Sequence, residues 1–254
     1  MIPKILHYCW YGPNELSELN KRCIESWKTI MPEYEIMKWD ETNSKMDLPF
    51  MKGAYKKKRF GYLIDHTRLY ALSKHGGIFL DLDFMALQSF NRLLDHTFFL
   101  GMIKEEEVGM GIIGCETNNP HILQIMKVYE DLDKFQDIPS TAIATNYFKS
   151  QNLHANFNSV ENDVAFYPKE FFYNYTLSHA FHGENYKKYI HPDSIAIHLW
   201  ENTWIKPEFR DFWFGEVRRG YTRAIKRIIR QPFQGVGYYK DLTYHVLRHL
   251  GFRK

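Results

Sequence analysis

The stretch from Gly76 to Met85 carries two carboxylates in an otherwise apolar run, Gly-Gly-Ile-Phe-Leu-Asp-Leu-Asp-Phe-Met. Such a run after two glycines predicts a strand buried on both faces of an α/β sheet. Side chains two positions apart on a strand project to the same side, so Asp81 and Asp83 are expected to lie close together. Two buried like charges are costly without a cation beside them, and carboxylate oxygens suit a hard divalent cation. We therefore expect a metal site at the end of this strand.

The same three letters occur a second time, as Asp131-Leu132-Asp133. This copy falls within the stretch from Pro120 to Phe135, whose apolar residues have helical periodicity, and positions i and i+2 of a helix do not share a face. Charged residues are rarely buried, so we interpret this copy as a solvated helix surface.

The composition is that of a globular protein, with 25% charged and 44% apolar residues among 254. The three cysteines have no paired spacing and follow no secretory signal, which predicts a reducing cytosol rather than a disulfide framework. No stretch approaches the length of a transmembrane helix, so any membrane contact is expected to be peripheral.

The first third of the chain alternates between strand and helix patterns, which predicts an α/β fold with a central, mostly parallel sheet flanked by helices. The predicted order is a strand at Ile2–Trp10, a helix at Ser17–Met31, a strand at Tyr34–Trp39, a helix that ends at His75 with Gly76 as its cap, and the strand of the two carboxylates. The polar stretch from Asp40 to Tyr55 is expected to be irregular.

Within the predicted helix before the carboxylates, Asp65 and Arg68 are three positions apart and share a face. They fit either a surface ion pair or a pair that reads the hydroxyls and phosphates of a ligand, and the spacing does not decide between the two.

The segment from Gly109 to Gly114 has the dinucleotide-binding spacing G-x-G-x-x-G, but its context excludes that function. The motif must follow an apolar strand and open a helix, whereas charged residues precede it here and the next helix begins only after Asn119. A glycine-rich strand that a ligand or another backbone approaches closely is favoured. The aromatic run Tyr167–Tyr173 is expected to lie in a loop beside the active cleft, and His198, in a later predicted strand, fits a core histidine on bare sequence.

Basic charge is concentrated at the end of the chain, where residues 206 to 254 hold 12 of the 33 Lys and Arg but only 4 of the 30 Asp and Glu. Apolar residues at positions 217, 221, 224, 225, 228 and 229 have helical spacing, and the other side of the helix holds Arg218, Arg219, Arg223, Lys226, Arg227 and Arg230. A basic amphipathic helix is typical of binding to an anionic membrane surface, and the alternative is a solvated face on a docked helix. Nucleic acid is not expected as a partner, because no recognised binding module accompanies the charge.

Taken together, these residues resemble glycosyltransferase family 32, which includes bacterial capsular polysaccharide transferases and yeast mannosyltransferases. The resemblance is carried by Ile2-Pro3-Lys4 with His7 and Trp10, Ser26-Trp27, Pro32 with Tyr34, Asp65 with Arg68, and His75 through Asp83. It implies a GT-A-like catalytic domain, which we place at 1–210, a nucleotide-sugar donor, with UDP as the expected nucleotide, and Mn²⁺ or Mg²⁺ as the cofactor. The basic charge and apolar spacing at the end of the chain predict a helical extension at 211–254.

The resemblance also implies roles for individual residues. Trp10 would stack on the donor base, Asp65 and Arg68 would hold the donor sugar and ribose, Asp81 would touch the ribose or sugar and the metal, Asp83 would be the main metal ligand, and Thr203 and Trp204 would face the diphosphate. Asp81, Asp83 and Arg68 are the expected catalytic residues, and His198 joins Asp83 and Asp81 as an expected metal ligand. Ile64, Leu82, Met85 and Thr203 depart from residues common in the family, which leaves the donor sugar open.

The resulting hypothesis is a retaining hexosyltransferase of surface polysaccharide assembly, which acts on a saccharide or lipid-linked acceptor at the cytoplasmic face of the membrane. Two alternatives stay open from the sequence. One is a phosphohydrolase of the haloacid dehalogenase type, although Phe84-Met85 does not continue that motif in its usual way. The other is a membrane-associated protein that binds sugar nucleotides without catalysis.

Overall fold

A computed structural model describes residues 1–160, 163–201, 209, 211–212, 217–231 and 236–249. The chain divides into two compact units, Met1–Glu201 and Asn202–Lys254. The boundary at residue 201 lies before the predicted division at 210.

The first unit alternates strands and helices along most of its length. Its strands are β1 (Ile5–Cys9), β2 (Glu35–Trp39), β3 (Gly77–Leu80), β4 (Phe84–Ala86), β5 (Phe98–Lys104), β6 (Glu107–Cys115), β7 (Val164–Tyr167) and β8 (Ala196–His198). Its α-helices are α1 (Glu18–Ile30), α2 (Pro49–Lys56), α3 (Phe60–His75), α4 (Pro120–Glu130), α5 (Ser140–Ser150), α6 (Lys169–Phe172) and α7 (Leu177–Phe181).

The described residues form a six-stranded central sheet in the order β2-β1-β3-β6-β5-β7. Three of its strand pairs are parallel (β1 with β2, β1 with β3, β5 with β7), and β6 is antiparallel to both of its neighbours. The predicted α/β class and the mixed, mostly parallel sheet are therefore confirmed. A separate antiparallel pair, β4 with β8, lies beside this sheet.

Helices cover both faces of the sheet and bury it. Trp27 of α1 is fully buried in one apolar cluster, and Leu69 and Leu72 of α3 are fully buried in the other. Since strands with helices on both faces expose little polar surface, near-continuous apolar runs such as β3 are expected in this position.

Several helix boundaries follow from local chemistry that the sequence displays. The Ser17 side chain accepts a hydrogen bond from the Asn20 N–H and so caps α1, and Asn119 caps α4 in the same way ahead of Pro120. Gly76 ends α3 as predicted, with its N–H donating to the Leu72 carbonyl. The prediction of an irregular segment at 40–55 was wrong at its end, where α2 forms although Leu48 at its N-cap provides no side-chain hydrogen bond.

Two predictions about the Asp-x-Asp triplets are corrected. The expected single strand through Met85 is interrupted, because β3 ends at Leu80 and Phe84 begins a strand that pairs with β8 instead of the central sheet. Asp81 and Asp83 therefore lie in the turn between two strands. The second triplet lies at and beyond the end of α4, which stops at Glu130, and both of its aspartates are exposed as expected.

The second unit contains α8 (Val217–Arg230) and α9 (Val236–His249). Phe209, Phe212 and Tyr238 form its buried apolar cluster. Among the described residues of the whole chain, no helix combines the length and the hydropathy that a membrane crossing requires.

Gly76 is the position at which we expect the turn from α3 into β3 to fail on substitution. Its φ of 63° and ψ of −156° lie in a region that essentially only glycine occupies, and an added Cβ would lie 2.8 Å from the Thr117 backbone nitrogen. Gly76→Ala should lower the free energy of unfolding by about 2–4 kcal/mol, measured by urea denaturation followed through the buried tryptophans of the first unit.

Gly183→Ala is the matched control, because Gly183 also has a positive φ, 72°, but a Cβ there meets no atom within 4 Å. The free energy of unfolding of that variant should fall by only about 1 kcal/mol, which is the cost of a left-handed backbone at a residue other than glycine. Equal losses in the two variants would contradict a contribution from the collision with the backbone.

Candidate metal and donor site

The candidate site lies where the carboxyl ends of two parallel strands meet. The register pairs His7 of β1 with Phe79 of β3, so both strands end at the same edge of the sheet, beside the turn that carries Asp81 and Asp83. Ligands of open α/β sheets bind outside the carboxyl ends of the strands. The topology therefore presents the two carboxylates at the edge where a ligand is expected.

Arg68 connects α3 to this edge through a buried network. Its side chain is 6% exposed, and Nη2 donates to Asp65 Oδ1 at 3.0 Å and lies 3.8 Å from Asp81 Oδ1. Nη1 donates to the Met110 carbonyl on β6, and the guanidinium carbon lies 5.0 Å from the centre of the Phe79 ring. The structure thus excludes the exposed surface ion pair as an interpretation of Asp65 and Arg68.

Asp81, Asp83 and His198 form the metal-competent cluster of the described residues. Each offers a ligand atom, and these atoms all lie within 4.8 Å of one another. The carboxylates are not fully buried, with the side chain of Asp81 28% exposed and that of Asp83 15% exposed. An entering cation or phosphate can therefore reach both. His198, for which the sequence alone favoured a core role, joins the carboxylates.

The segment around His198 holds Asp83 from three directions. His198 Nε2 lies 2.8 Å from Asp83 Oδ1, the Glu201 N–H donates to Oδ2 at 2.9 Å, and the Leu199 N–H donates to the Asp83 carbonyl at 2.8 Å. We call residues 198–201 the Asp83 strap. Because both carboxylate oxygens have partners, the orientation of Asp83 is fixed by the fold.

Trp200 gives the strap its shape. Its φ of 53° is left-handed, a conformation that is uncommon for a bulky residue, and it lets His198 and the Glu201 N–H reach the same carboxylate. The indole Nε1 donates to the Tyr175 carbonyl at 2.6 Å, and the ring lies 4.0 Å from the His198 ring, centre to centre. The Glu201 carboxylate accepts a hydrogen bond from buried Asn20 of α1, which ties the end of the strap to the first unit's core.

Tyr173 packs beneath the site, in contact with Gly111, Phe84 and His198. Its hydroxyl accepts the Gly111 N–H at 3.1 Å, and its ring makes edge contacts with Phe84 and with His198. A Cβ at Gly111 would lie 2.7 Å from Asp81 Oδ2 and 3.2 Å from the Tyr173 hydroxyl. The glycine at this position therefore makes room for the carboxylate of Asp81.

The environments of the acidic residues push their pKa values apart. Burial raises the pKa of Asp81, and nearby Asp83 adds to this while Arg68 opposes it. Burial acts on Asp83 in the same direction, but His198 and the hydrogen bond from Glu201 outweigh it and lower its pKa. Burial also raises the pKa of Asp65 to about 6, against the opposing charge of Arg68.

The donor set fits a divalent cation on chemical grounds. Two carboxylates and one imidazole offer hard oxygen ligands with one borderline nitrogen, which suits Mn²⁺ better than the all-oxygen sphere that Mg²⁺ prefers. His198 Nδ1 is buried and has no hydrogen-bond partner in the described structure, so the protein uses only one of the two ring nitrogens. A bound cation would also offset the repulsion between the two carboxylates.

Three further residues, Trp10, Thr203 and Trp204, were predicted to contact the donor. Trp10 lies one residue beyond β1 at the same sheet edge, partly buried, with its indole Nε1 donating to the Asn14 carbonyl at 2.7 Å. Thr203 and Trp204, expected to face a diphosphate, lie outside the described residues. The structure thus brings together Asp65, Arg68, Asp81, Asp83 and His198.

Sequence reasoning missed the residues that support the site: Asn20, Gly111, Tyr173, Trp200 and Glu201. Weak signals existed for two of them. Tyr173 belongs to the aromatic run at 167–173, which was expected beside the cleft. Gly111 belongs to the glycine-rich segment at 109–114, which a ligand or another backbone was expected to approach closely. No local pattern marks Asn20 or Glu201, because their hydrogen bond joins residues 181 positions apart.

Comparison with known proteins matches residues 17–100 to the family described as "Glycosyltransferase sugar-binding region containing DXD motif". The matched segment contains Asp65, Arg68, Asp81 and Asp83.

Two curated yeast proteins are similar over part of the chain. "Inositol phosphoceramide mannosyltransferase 3" of Schizosaccharomyces pombe is 27% identical over 135 residues, which are 50% of this chain and 36% of that protein. "Mannosyl phosphorylinositol ceramide synthase SUR1" of Saccharomyces cerevisiae is 24% identical over 151 residues, which are 56% of this chain and 38% of that protein. The chain thus spans well under half of the length of these relatives.

Among solved structures, "PaToxG Glycosyltransferase" superposes with a TM-score of 0.47 at 17% identity, covering 59% of this chain and 69% of that chain. The family match over residues 17–100 and the two yeast relatives support a glycosyltransferase of the family 32-like type, and residues 17–100 resemble the sugar-binding region of that family.

Proposed function

We propose that the protein transfers a hexose from a nucleotide-sugar donor to a saccharide acceptor with the help of a divalent cation. The observation that supports this most directly is the continuous network from Asp65 through Arg68 to Asp81, Asp83 and His198 at the carboxyl ends of β1 and β3. It combines a cation-binding cluster with a buried guanidinium, which are the groups that a sugar diphosphate requires.

The cluster suits the step in which the bond between sugar and diphosphate breaks. Negative charge develops on the leaving diphosphate in this step, and a cation held by Asp83, Asp81 and His198 would supply the compensating positive charge. Asp83 is the main ligand in this proposal, because the Leu199 and Glu201 N–H groups of the strap fix its orientation independently of the His198 ring, and its lowered pKa keeps it ionised.

The donor is held on the α3 side of the cluster. In our proposal Asp65 and Arg68 bind the hydroxyls of the sugar and ribose, Trp10 stacks on the base, and Thr203 and Trp204 face the diphosphate. Asp65 and Arg68 are already held by their mutual hydrogen bond, which lowers the entropic cost of ordering them when the donor binds. UDP as the nucleotide and retention at the anomeric carbon stay predictions, which a donor panel and NMR of the product linkage decide.

A lipid-linked acceptor is the form that the relatives favour. The names of the two yeast proteins couple mannosyl groups to inositol-containing ceramides, so mannose and a lipid acceptor are candidates here. A role in surface polysaccharide assembly remains part of the proposal. The comparisons support a transferase, and no observation on the described site favours the phosphohydrolase or the non-catalytic alternative.

We also propose that the protein binds the inner face of the cytoplasmic membrane peripherally, through the basic helix α8. This helix carries five arginines, one lysine and no acidic residue over Val217–Arg230. Each basic residue near an anionic lipid surface contributes about 1 kcal/mol of attraction.

Asp83→Ala should abolish donor turnover. In a panel of nucleotide sugars with Mn²⁺, measured by release of the free nucleotide diphosphate, we expect the best donor of the wild-type protein to be hydrolysed at least about 100-fold more slowly by the variant, since it loses the main ligand of the charge-compensating cation. Asp133→Ala removes an exposed aspartate from the second triplet and should keep wild-type rates. Equal rates in Asp83→Ala and wild type would refute the assigned role.

Gly111→Ala tests whether space beside Asp81 is needed for cation binding. The new methyl group would lie 2.7 Å from Asp81 Oδ2 and 2.9 Å from the buried Phe84 ring, so it would displace the carboxylate, and we expect Mn²⁺ affinity measured by electron paramagnetic resonance to fall about tenfold. Gly220→Ala also presses on a side chain, the ring of Phe212 in the second unit, and should leave Mn²⁺ affinity unchanged. Undiminished affinity in Gly111→Ala would contradict Asp81 as a ligand.

Reversing three charges on α8 tests membrane binding in the full chain. The triple variant Arg218→Glu, Lys226→Glu, Arg230→Glu should no longer sediment with vesicles that contain phosphatidylglycerol, since attraction of roughly 1 kcal/mol per site becomes repulsion. The control carries the same change of net charge at exposed Lys52, Lys56 and Lys58 in the first unit and should sediment like wild type. If both triple variants behave alike, net charge rather than α8 governs binding.

A further inference from the structure

The apolar residues of α8, which have a single helical spacing in the sequence, are divided between two surfaces of the helix. Gly220 and Ala224 are buried, and Val217, Tyr221 and Ile228 pack against the cluster of Phe209, Phe212 and Tyr238. A Cβ at Gly220 would lie 2.8 Å from the Phe212 ring, so the helix approaches that cluster closely. This surface of α8 docks the helix within the second unit.

Ile225 and Ile229 lie outside this docking surface. They are 55% and 73% exposed, and neither packs against the cluster. Because they are four positions apart, they form one continuous apolar ridge along the helix. Moving side chains of this size from water into an apolar medium is favourable.

Cations flank the ridge. Arg218, Lys226 and Arg230 are exposed. Arg218 lies seven positions, about two turns, before Ile225 and so on the same side of the helix, whereas Lys226 and Arg230 each follow an isoleucine directly and lie beside the ridge, about 100° further around the helix. No acidic side chain of α8 neutralises them, since the helix contains none. The surface is therefore both apolar and strongly cationic.

We propose that Ile225 and Ile229 insert into the acyl boundary of an anionic bilayer while Arg218, Lys226 and Arg230 bind lipid headgroups. The inference rests on the proposed membrane association and names the residues that enter the lipid. An anionic bilayer matches both properties of the surface, because its headgroups complement the cations and its interior accepts the isoleucines. A second copy of the same face would bring like charges together, and nucleic acid offers no apolar phase for the ridge.

An environment-sensitive fluorophore on Ile229→Cys tests the insertion directly. The natural cysteines Cys9, Cys23 and Cys115 are buried, so the introduced thiol is the one that labels under native conditions. We expect a blue shift on adding vesicles with phosphatidylglycerol, and quenching when the lipids carry bromine in their acyl chains. A label on exposed Leu123→Cys of α4 should show neither change.

A charge-neutral double variant separates insertion from electrostatic attraction. Ile225→Asn with Ile229→Asn keeps every cation, and we expect its affinity for these vesicles to fall about tenfold or more. The control is Leu123→Asn with Val128→Asn, which removes two exposed apolar side chains of α4 and should bind like wild type. Donor hydrolysis in the absence of lipid should be unchanged in both.

The possible outcomes distinguish the proposals. Unchanged vesicle affinity of the Ile225 and Ile229 double variant, or no blue shift while the protein sediments with vesicles, would overturn the insertion and leave charge alone as the binding force. Failure of the wild-type protein to bind vesicles would overturn membrane association as a whole. A blue shift that depends on protein concentration without lipid would assign the ridge to contact between two copies.

Discussion

The buried guanidinium of Arg68 is the constraint on which the rest of the site depends. A buried cation needs compensating carboxylates, and removing a partner from such a pair costs about 3–5 kcal/mol. Asp65 meets this need within α3, Asp81 meets it from the turn after β3, and the Met110 carbonyl fixes the group to β6. The helix, the turn and the antiparallel strand are therefore held in one geometry before any donor arrives.

Asp83 is held by hydrogen bonds from the Asp83 strap, not by a buried guanidinium. The strap places a histidine nitrogen and a backbone N–H on the two oxygens of one carboxylate, and this requires the left-handed backbone at Trp200. Strain of this kind costs of order 1–3 kcal/mol and persists only where the surroundings enforce it. Here the indole hydrogen bond to Tyr175 and the link from Glu201 to Asn20 provide that enforcement. The result is a ligand oriented by the fold, as an efficient charge-stabilising site requires.

Local chemistry made much of the fold predictable, and long-range contacts account for the errors. Ser17 and Gly76 mark helix ends with interactions inside a few residues, so both boundaries were predicted. The break between β3 and β4 carries no glycine or proline and depends on pairing with β8, more than a hundred residues later, so the sequence suggested one strand. Distant contacts also decide the burial of α8. The periodicity of its sequence shows where apolar residues recur, but it does not show which of them are buried within the second unit.

The glycines at 109, 111 and 114 have the spacing of a dinucleotide-binding loop, but a different steric requirement explains them here. A Cβ at Gly109 would lie 2.6 Å from the Tyr173 ring, one at Gly111 would collide with Asp81, and one at Gly114 would collide with the Phe99 ring. In a dinucleotide-binding loop such glycines let the backbone approach a pyrophosphate. Here they let β6 approach the chain's own side chains, and the middle glycine sets where the Asp81 carboxylate can lie. The strand is thus part of the site, although no glycine in it needs to contact a ligand.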